Sequence, residues 1–419
     1  MHPSASLERN VRWRLVAPIT ALLLVSSLDR VNISFAALGM NAALGLTPSQ
    51  YGFGAGILFV GFLAGQYPSV LMLQRVGMRR WVSCCALLWA LASAGVTFVH
   101  SAGEFYALRV LVGLAEGGLA PGVVLYLSQF TTEADRARTF GVPMIAIPLS
   151  VALGSPLSGW LMSMVTPGHI APWRWLLIAE ALPALLLGVA ARAYFPDHPA
   201  EARWLSAQDT DFLRSHAAAE LGGPGRNDWR VLAQPFVWIT AIVWFCLLSG
   251  SYGIIFWLPQ IVKSLTGHST LAIGWINALP WLGAAIGMYL NARHSDRSRE
   301  RIWHVSLPAL FAAVATCAAW QLGAGTPGLI ALVLLGFGLG AAQGAFWSVP
   351  TLYLARPTLA IAAVMINLLG SAGGLVMPHL IGFGMELDGG AGIASLLIGG
   401  VLAIGGLLIL SLRNYGRRG

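Results

Sequence analysis

Apolar residues run through this chain in blocks of 20 to 30, broken by short stretches that hold Arg, Pro or Gly. A helix needs about 20 mostly apolar residues to cross a bilayer. Twelve such segments are read, at roughly 13–38, 49–74, 80–100, 103–129, 135–164 and 172–195, then 235–262, 269–292, 302–322, 327–354, 358–385 and 390–412. The expected fold is therefore an all-α polytopic membrane protein of twelve transmembrane helices. Residues 196–234 form the one long polar stretch. They divide the chain into an N-terminal six-helix bundle (1–195), a linker (196–234) and a C-terminal six-helix bundle (235–419) around a central cavity. Within the linker, Trp204, Leu205, Phe212 and Leu213 are spaced for one helical face, which predicts a short helix lying on the membrane surface. An internal duplication is expected, because LQRVGMRR (73–80) after span 2 and HSDRSRER (294–301) after span 8 are Arg-rich loops at matching places.

Composition agrees with this pattern. Charged residues make up 10% of the chain against about 25% in soluble domains. Hydrophobic residues make up 57%, and mean hydropathy is +0.71. A net charge of +8 would otherwise point to nucleic acid, but the cations lie at span ends and no nucleic-acid partner is expected. Their distribution sets orientation instead. Arg9, Arg12, Arg14, Arg75, Arg79, Arg80, Arg136, Arg138, Arg293, Arg297, Arg299, Arg301, Arg356, Arg413, Arg417, Arg418 and the linker fall on the side of the termini, against Arg174 and Lys263 on the other. Cytoplasmic N- and C-termini follow. The N-terminal MHPSASLERNVRWR is polar and basic, and no signal peptide is expected. Cys84, Cys85, Cys246 and Cys317 fall in apolar stretches and read as free thiols, with no metal site expected. No HExxH, paired CxxC or partnered GxSxG occurs, so an enzyme is not expected, nor any cofactor beyond a proton as coupling ion.

A few ionisable residues remain inside the spans. Asp29 and Arg30 sit in span 1, Arg109 and Glu116 in span 4, and Glu180 in span 6. A charge at the bilayer centre costs ~2.5–3.5 kcal/mol on insertion scales, and such residues face partners or a wet cavity. Arg109 and Glu116 are seven apart and share a helix face, with Gly113 between them and Gly117 and Gly118 beyond. The small residues allow close approach of another helix, and helix packing likewise explains the Gly-rich runs 52–65 and 334–344. Ion pairs locking span 1 to span 4 are one reading: Asp29 with Arg109, or Arg30 with Glu116. Function is the other, and both hold together if a pair breaks during a cycle. An Arg keeps its charge and presents a planar fork to a carboxylate. An Asp or Glu in a low-dielectric site can bind and release protons. A fixed cation beside a titratable acid suits proton-coupled uptake of an organic anion. Other mid-span polar and aromatic residues could complete a pocket: Ser249, Ser251, Tyr252 and Trp257 in span 7, Gln343, Trp347 and Ser348 in span 10, and Asn367 and Ser371 in span 11.

The stretch SLDRVNISFAALGMNAALGLTPSQYGFGAGILFVGFLAGQYPSVLMLQRVGMRRW resembles the major facilitator superfamily, and more narrowly its anion:cation symporter family. So do FYALRVLVGLAEGGLAPGVVLYL, IPLSVALGSPLSGWL, WRWLLIAEALP, FWLPQIVKSLTG, NARHSDRSRERIWHV and INLLGSAGGLVMPHLIG, which together cover nearly the whole chain. The resemblance implies two six-helix bundles that alternate access, a monomer in the cell inner membrane, and proton symport of an organic acid such as tartrate, phthalate, hydroxyphenylacetate, a sugar acid or sialic acid. It implies substrate binding by Arg30, Trp347 and Asn367 and matches Arg109 to the family's helix 4 Arg; Arg109, with Tyr252 and Ser348 from the mid-span polar positions, completes the expected binding set. It implies proton coupling by Asp29 and Glu116, and a gating loop with Arg75, Gly77 and Arg79, echoed by Asp296 and Arg297. Two positions depart from the family pattern. Gln74 stands where an acid is usual, and Phe62 stands where a Tyr is frequent. The second change favours a less polar, aromatic acid. An exporter of the same fold and a non-transporting sensor are the alternatives. Substrate, stoichiometry, direction of transport and the role of Glu180 are not fixed by the sequence.

Overall fold

A computed structural model describes residues 5–131, 133–166, 168, 170–221, 229–323, 325–354, 356–388 and 392–417. Arg418 lies outside them, as do the side chains of Arg136, Arg138, Arg356 and Arg417. The long helices are α1 (Ala17–Leu44), α2 (Pro48–Val76), α3 (Met78–Gly95), α4 (Ala102–Glu116, resuming as Leu119–Leu127), α5 (Glu133–Ser163) and α6 (Pro172–Tyr194). The second half repeats the series with α7 (Pro235–Thr266), α8 (Thr270–Ser298), α9 (Trp303–Leu322), α10 (Thr326–Phe346), α11 (Arg356–Asp388) and α12 (Gly392–Leu408). Eleven stretches among the described residues are long and apolar enough to cross a membrane, and the 31-residue α5 stands at the place of the remaining predicted span.

Helix ends follow local chemistry. Thr47 and Gln50 form a reciprocal capping box at the start of α2, where Pro48 occupies the first turn. Gly45 and Gly267 end α1 and α7 in the left-handed conformation that glycine adopts without penalty.

Both halves use the same packing device. Gly61 and Gly65 of α2 lie against the backbone of Val110 and Leu114, while Gly113 and Gly117 of α4 lie against that of Leu58 and Phe62. A Cβ on Gly113 would stand 1.9 Å from the Leu58 carbonyl oxygen. In the second half, Gly283 and Gly287 of α8 meet Val333 and Phe337, and Gly336 and Gly340 of α10 meet Pro280 and Ala284. Small residues let these backbones touch.

The halves are joined at the end away from the termini. There Asn41 Nδ2 donates to Gln260 Oε1 (3.1 Å), Tyr51 OH to the Phe256 carbonyl (2.9 Å), the Ser49 amide to Glu386 Oε1 (2.8 Å) and Asn277 Nδ2 to Ser155 Oγ (2.7 Å). Glycines again bring backbones together. Gly52 meets Pro378, Gly382 meets Pro48, Gly159 meets Thr270, and Gly274 meets Ser155. This architecture is closed on one face of the bundle pair.

The linker differs from its sequence reading in one respect. Its helix spans Ala207–Leu221, but Phe212 and Leu213 are both 3% exposed and Trp204 stacks on Phe130. Burying these side chains against protein removes the apolar face that would have lain on lipid.

Candidate functional site

Two crossed ion pairs tie α1 to α4. Arg30 Nη2 donates to Glu116 Oε2 at 2.9 Å, and Arg109 Nη1 donates to Asp29 Oδ2 at 3.2 Å. Both pairs weighed from the sequence are therefore present. Asp29 and Arg30 are adjacent on α1, and their partners Arg109 and Glu116 stand two turns apart on α4.

The pairs differ in surroundings. Arg109 and Asp29 have side chains 2% and 4% exposed, and Asp29 also accepts from Asn32 Nδ2 (3.2 Å) and from Ser93 Oγ. Arg109 Nε and Nη2 have no hydrogen-bond partner among the described residues. Arg30 is 14% exposed, with Glu116 fully buried beneath it. The Arg30 guanidinium carbon lies 5.7 Å from the centre of the Phe62 ring, a cation–π arrangement. Phe62 packs on Phe59, and Phe59 packs edge-on to Tyr252 of α7 with centroids 4.5 Å apart. Tyr252 is close enough to Arg30 for the two to interact electrostatically. So Arg30, Phe62, Phe59 and Tyr252 form one cluster that spans both halves.

The other expected binding residues are placed less uniformly. Trp347 is 37% exposed and packs edge-on to Trp244 of α7 at 5.3 Å. Asn367 is exposed one turn before Gly370, against which the Trp244 ring packs. Trp244 was not singled out from the sequence. It stacks on Phe346, and its buried Nε1 has no hydrogen-bond partner among the described residues. Ser348 donates to the Ala345 carbonyl of its own helix, so only its lone pairs are left for a ligand. Gln343 reaches from α10 to α7, donating to Ser251 Oγ at 2.7 Å.

The loop residues also sort out. Gly77 has φ +83°, and a Cβ there would strike the Asp197 carboxylate. Arg79 pairs with Asp197 (Nε to Oδ2, 3.0 Å) and with Glu201. Those two acids follow α6, over a hundred residues along, and supply counter-charge that Gln74 does not. Arg75 is exposed. In the second loop, Asp296 pairs with Arg301 (2.7 Å), and Arg297 beside it is exposed.

Glu300, between α8 and α9, accepts from the Trp303 and His304 amides and from His304 Nδ1. Partial burial pushes its carboxyl up, but these donors outweigh it and hold it below the ordinary carboxylate value. A depressed carboxyl stabilises the fold above its unfolded-state value, and that stability is lost as pH falls through the folded-state value. Glu300→Gln, which keeps an acceptor but loses the charge, should thus lower the melting temperature at neutral pH, and the difference from the parent should shrink in acid. A thermal melt of both proteins across that range checks it.

Comparison with known proteins places the chain. Residues 19–378 match the family model described as Major Facilitator Superfamily. A protein of Agrobacterium vitis named "Putative tartrate transporter" is 40% identical over 406 residues, covering 96% of this chain and 92% of its own. A "Quinolone resistance transporter" of Acinetobacter baumannii is 30% identical over 385 residues, covering 91% and 89%. In fold, a bacterial homologue of the human lysosomal transporter Spinster, solved inward-facing and unoccupied, superposes with TM-score 0.76 at 17% identity, covering 97% of this chain and 94% of that one. The chain is a multi-pass membrane transporter and belongs to the Major Facilitator Superfamily.

Proposed function

We propose that this transporter takes up an organic carboxylate together with protons, by alternating access, as a member of the anion:cation symporter family. The observation that carries the reading is the asymmetry of the two ion pairs. Arg109 and Asp29 are sealed, whereas Arg30 is the partly open cation, with aromatic rings around it and an acid behind it. A substrate carboxylate can take the place of Glu116 on the Arg30 fork. Glu116 then loses its counter-charge in a site that cannot hold a bare carboxylate, and a proton replaces the cation. Release reverses the exchange: the substrate leaves, Glu116 gives up its proton, and the Arg30 pair reforms. Arg109 and Asp29 link the same two helices and carry the second coupling carboxyl. Tyr252, Trp347 and Asn367 form the wall contributed by the C-terminal half, with Ser348 as acceptor only. Phe62 of α2, beside Arg30, gives the N-terminal side an apolar surface, which favours an aromatic acid over a sugar acid. The carrier works as a monomer in the cell inner membrane with cytoplasmic termini, and needs no cofactor.

Purified chain in proteoliposomes with an alkaline interior tests this. Tartrate and a panel of aromatic and aliphatic acids are offered outside. One acid should accumulate above equilibrium, with a matching proton influx read by an internal dye, and a protonophore should abolish the excess. Uptake indifferent to the pH gradient would sink the coupling. A second reading, export of an anionic drug or metabolite, is favoured by the relationship to the quinolone resistance transporter. Inside-out vesicles that concentrate quinolones with the gradient reversed would select it.

A further inference from the structure

The N-terminal half holds one more buried carboxyl than its two ion pairs use. Glu180 of α6 is 7% exposed. Its Oε1 accepts from Ser158 Oγ of α5 at 2.7 Å, and its Oε2 has no partner within hydrogen-bond distance among the described residues. Among the described residues, the charged group that acts on Glu180 is Asp29, of like sign, and the Asn32 amide lies within its hydrogen-bonding reach. Of the helices packed on α6, α1 brings Asp29 and Asn32, and α5 brings Ser158. From α3, Ser93 goes to Asp29 instead. Within the membrane-spanning helices, the described buried side chains thus set three acids (Asp29, Glu116, Glu180) against two cations (Arg30, Arg109).

Hydrogen bonding makes the same count. Asn32 stands between the two carboxyls. Its Nδ2 donates to Asp29 Oδ1 at 3.2 Å. An ionised carboxylate only accepts, so Asp29 fixes which way the amide points. Asn32 Oδ1 is then left buried with no donor, as is Glu180 Oε2. Two buried acceptors without a donor cost free energy. One proton on Glu180 removes the surplus charge and creates the missing donor.

We propose that Glu180 is a third proton-binding carboxyl of this transporter, coupled to Asp29 through the Asn32 amide. When Asp29 gains a proton it stops needing the Asn32 donor. The amide is then free to turn and donate to Glu180, which can release its own proton to water and remain stabilised as a carboxylate. One proton is bound and one released, so the exchange leaves the net charge of the pair unchanged. The role in transport rests on the proton-coupled reading above, but the presence of the proton does not.

Infrared difference spectroscopy on the full chain in lipid at neutral pH tests the site. Subtracting Glu180→Gln from the parent should reveal the carbonyl stretch of one protonated carboxylic acid per chain. Asn32→Leu should retain that band but move its frequency, because its hydrogen-bond acceptor is gone. Carboxylate bands in the Glu180→Gln difference would overturn the proposal, as would a band that Asn32→Leu leaves in place. Gradient-driven uptake by the parent, measured on the same preparation, keeps the two readings separate. If the gradient drives no uptake, the coupling reading fails whatever the spectrum shows. If it does and the acid band is missing, only the assignment of Glu180 fails.

Discussion

Arg30→Ala removes uptake while the protein still inserts and folds. Arg30 is the cation that a carboxylate can reach, since its partner Glu116 lies fully buried beneath it. Truncating one partner of a buried, hydrogen-bonded charge pair at a binding site costs ~2–5 kcal/mol. At ~1.4 kcal/mol per tenfold, binding weakens by roughly 30- to 4,000-fold. Below saturation, uptake should fall by at least the lower figure. Arg30→Lys keeps the charge but not the planar fork, and should recover a minor fraction. Glu116 tolerates the loss of Arg30 by holding a proton, which is why folding should survive. The measurement is initial uptake of the acid identified by the panel, with thermal unfolding of each variant beside it. An Arg30→Ala protein that transports at the parental rate would remove Arg30 from the binding site.

The sealed pair should respond in the opposite way, through stability first. Arg109→Ala leaves Asp29 buried with only Ser93 and Asn32 as partners. Breaking a buried pair by removing one member costs ~3–5 kcal/mol, mostly because the surviving charge is uncompensated. Arg109→Ala should therefore unfold well below the parent. Arg109→Ala with Asp29→Asn should recover much of the loss, since the orphan charge is gone. Neither variant should accumulate substrate against a gradient. Equal melting of the single and double variants would show that no charge is stranded, and the account of this pair would fail.

The sequence reading went furthest where physics is local. Long apolar blocks dictate helices, and expensive charges inside them advertise partners. Spacing even named the two ion pairs, because Arg109 and Glu116 share a face and Asp29 and Arg30 are neighbours. What it could not reach was pairing between distant elements. Helical periodicity shows that Gly113 and Gly117 form a smooth face, but not that α2 fills it. The partners of Arg79 lie 118 and 122 residues away, beyond any spacing rule. Trp244 looked like one more aromatic in an apolar run, and only the fold sets it against Trp347 and Gly370. Ser348 was read as a polar pocket residue, yet in a helix a serine hydroxyl readily bonds its own preceding turn. The linker's apolar residues had the pattern of a membrane-surface helix, and pattern alone cannot say whether lipid or protein covers it.

The closed face of the bundle pair brings backbones into contact at glycines, beside the side-chain hydrogen bonds that cross it. Where Gly52 meets Pro378 and Gly274 meets Ser155, a Cβ would stand 2.2 Å and 2.6 Å from the facing carbonyl oxygens. A carrier must visit two global states, and the balance between them follows from small differences in free energy, about 1.4 kcal/mol for each tenfold change in population. Forcing one extra methyl into a packed face costs ~1–3 kcal/mol, and it weighs against one state only. The resting population of the carrier is thus adjustable by single carbon atoms far from the substrate. Relatives could drift in their preferred state, and so in apparent affinity, while keeping every residue that touches the cargo.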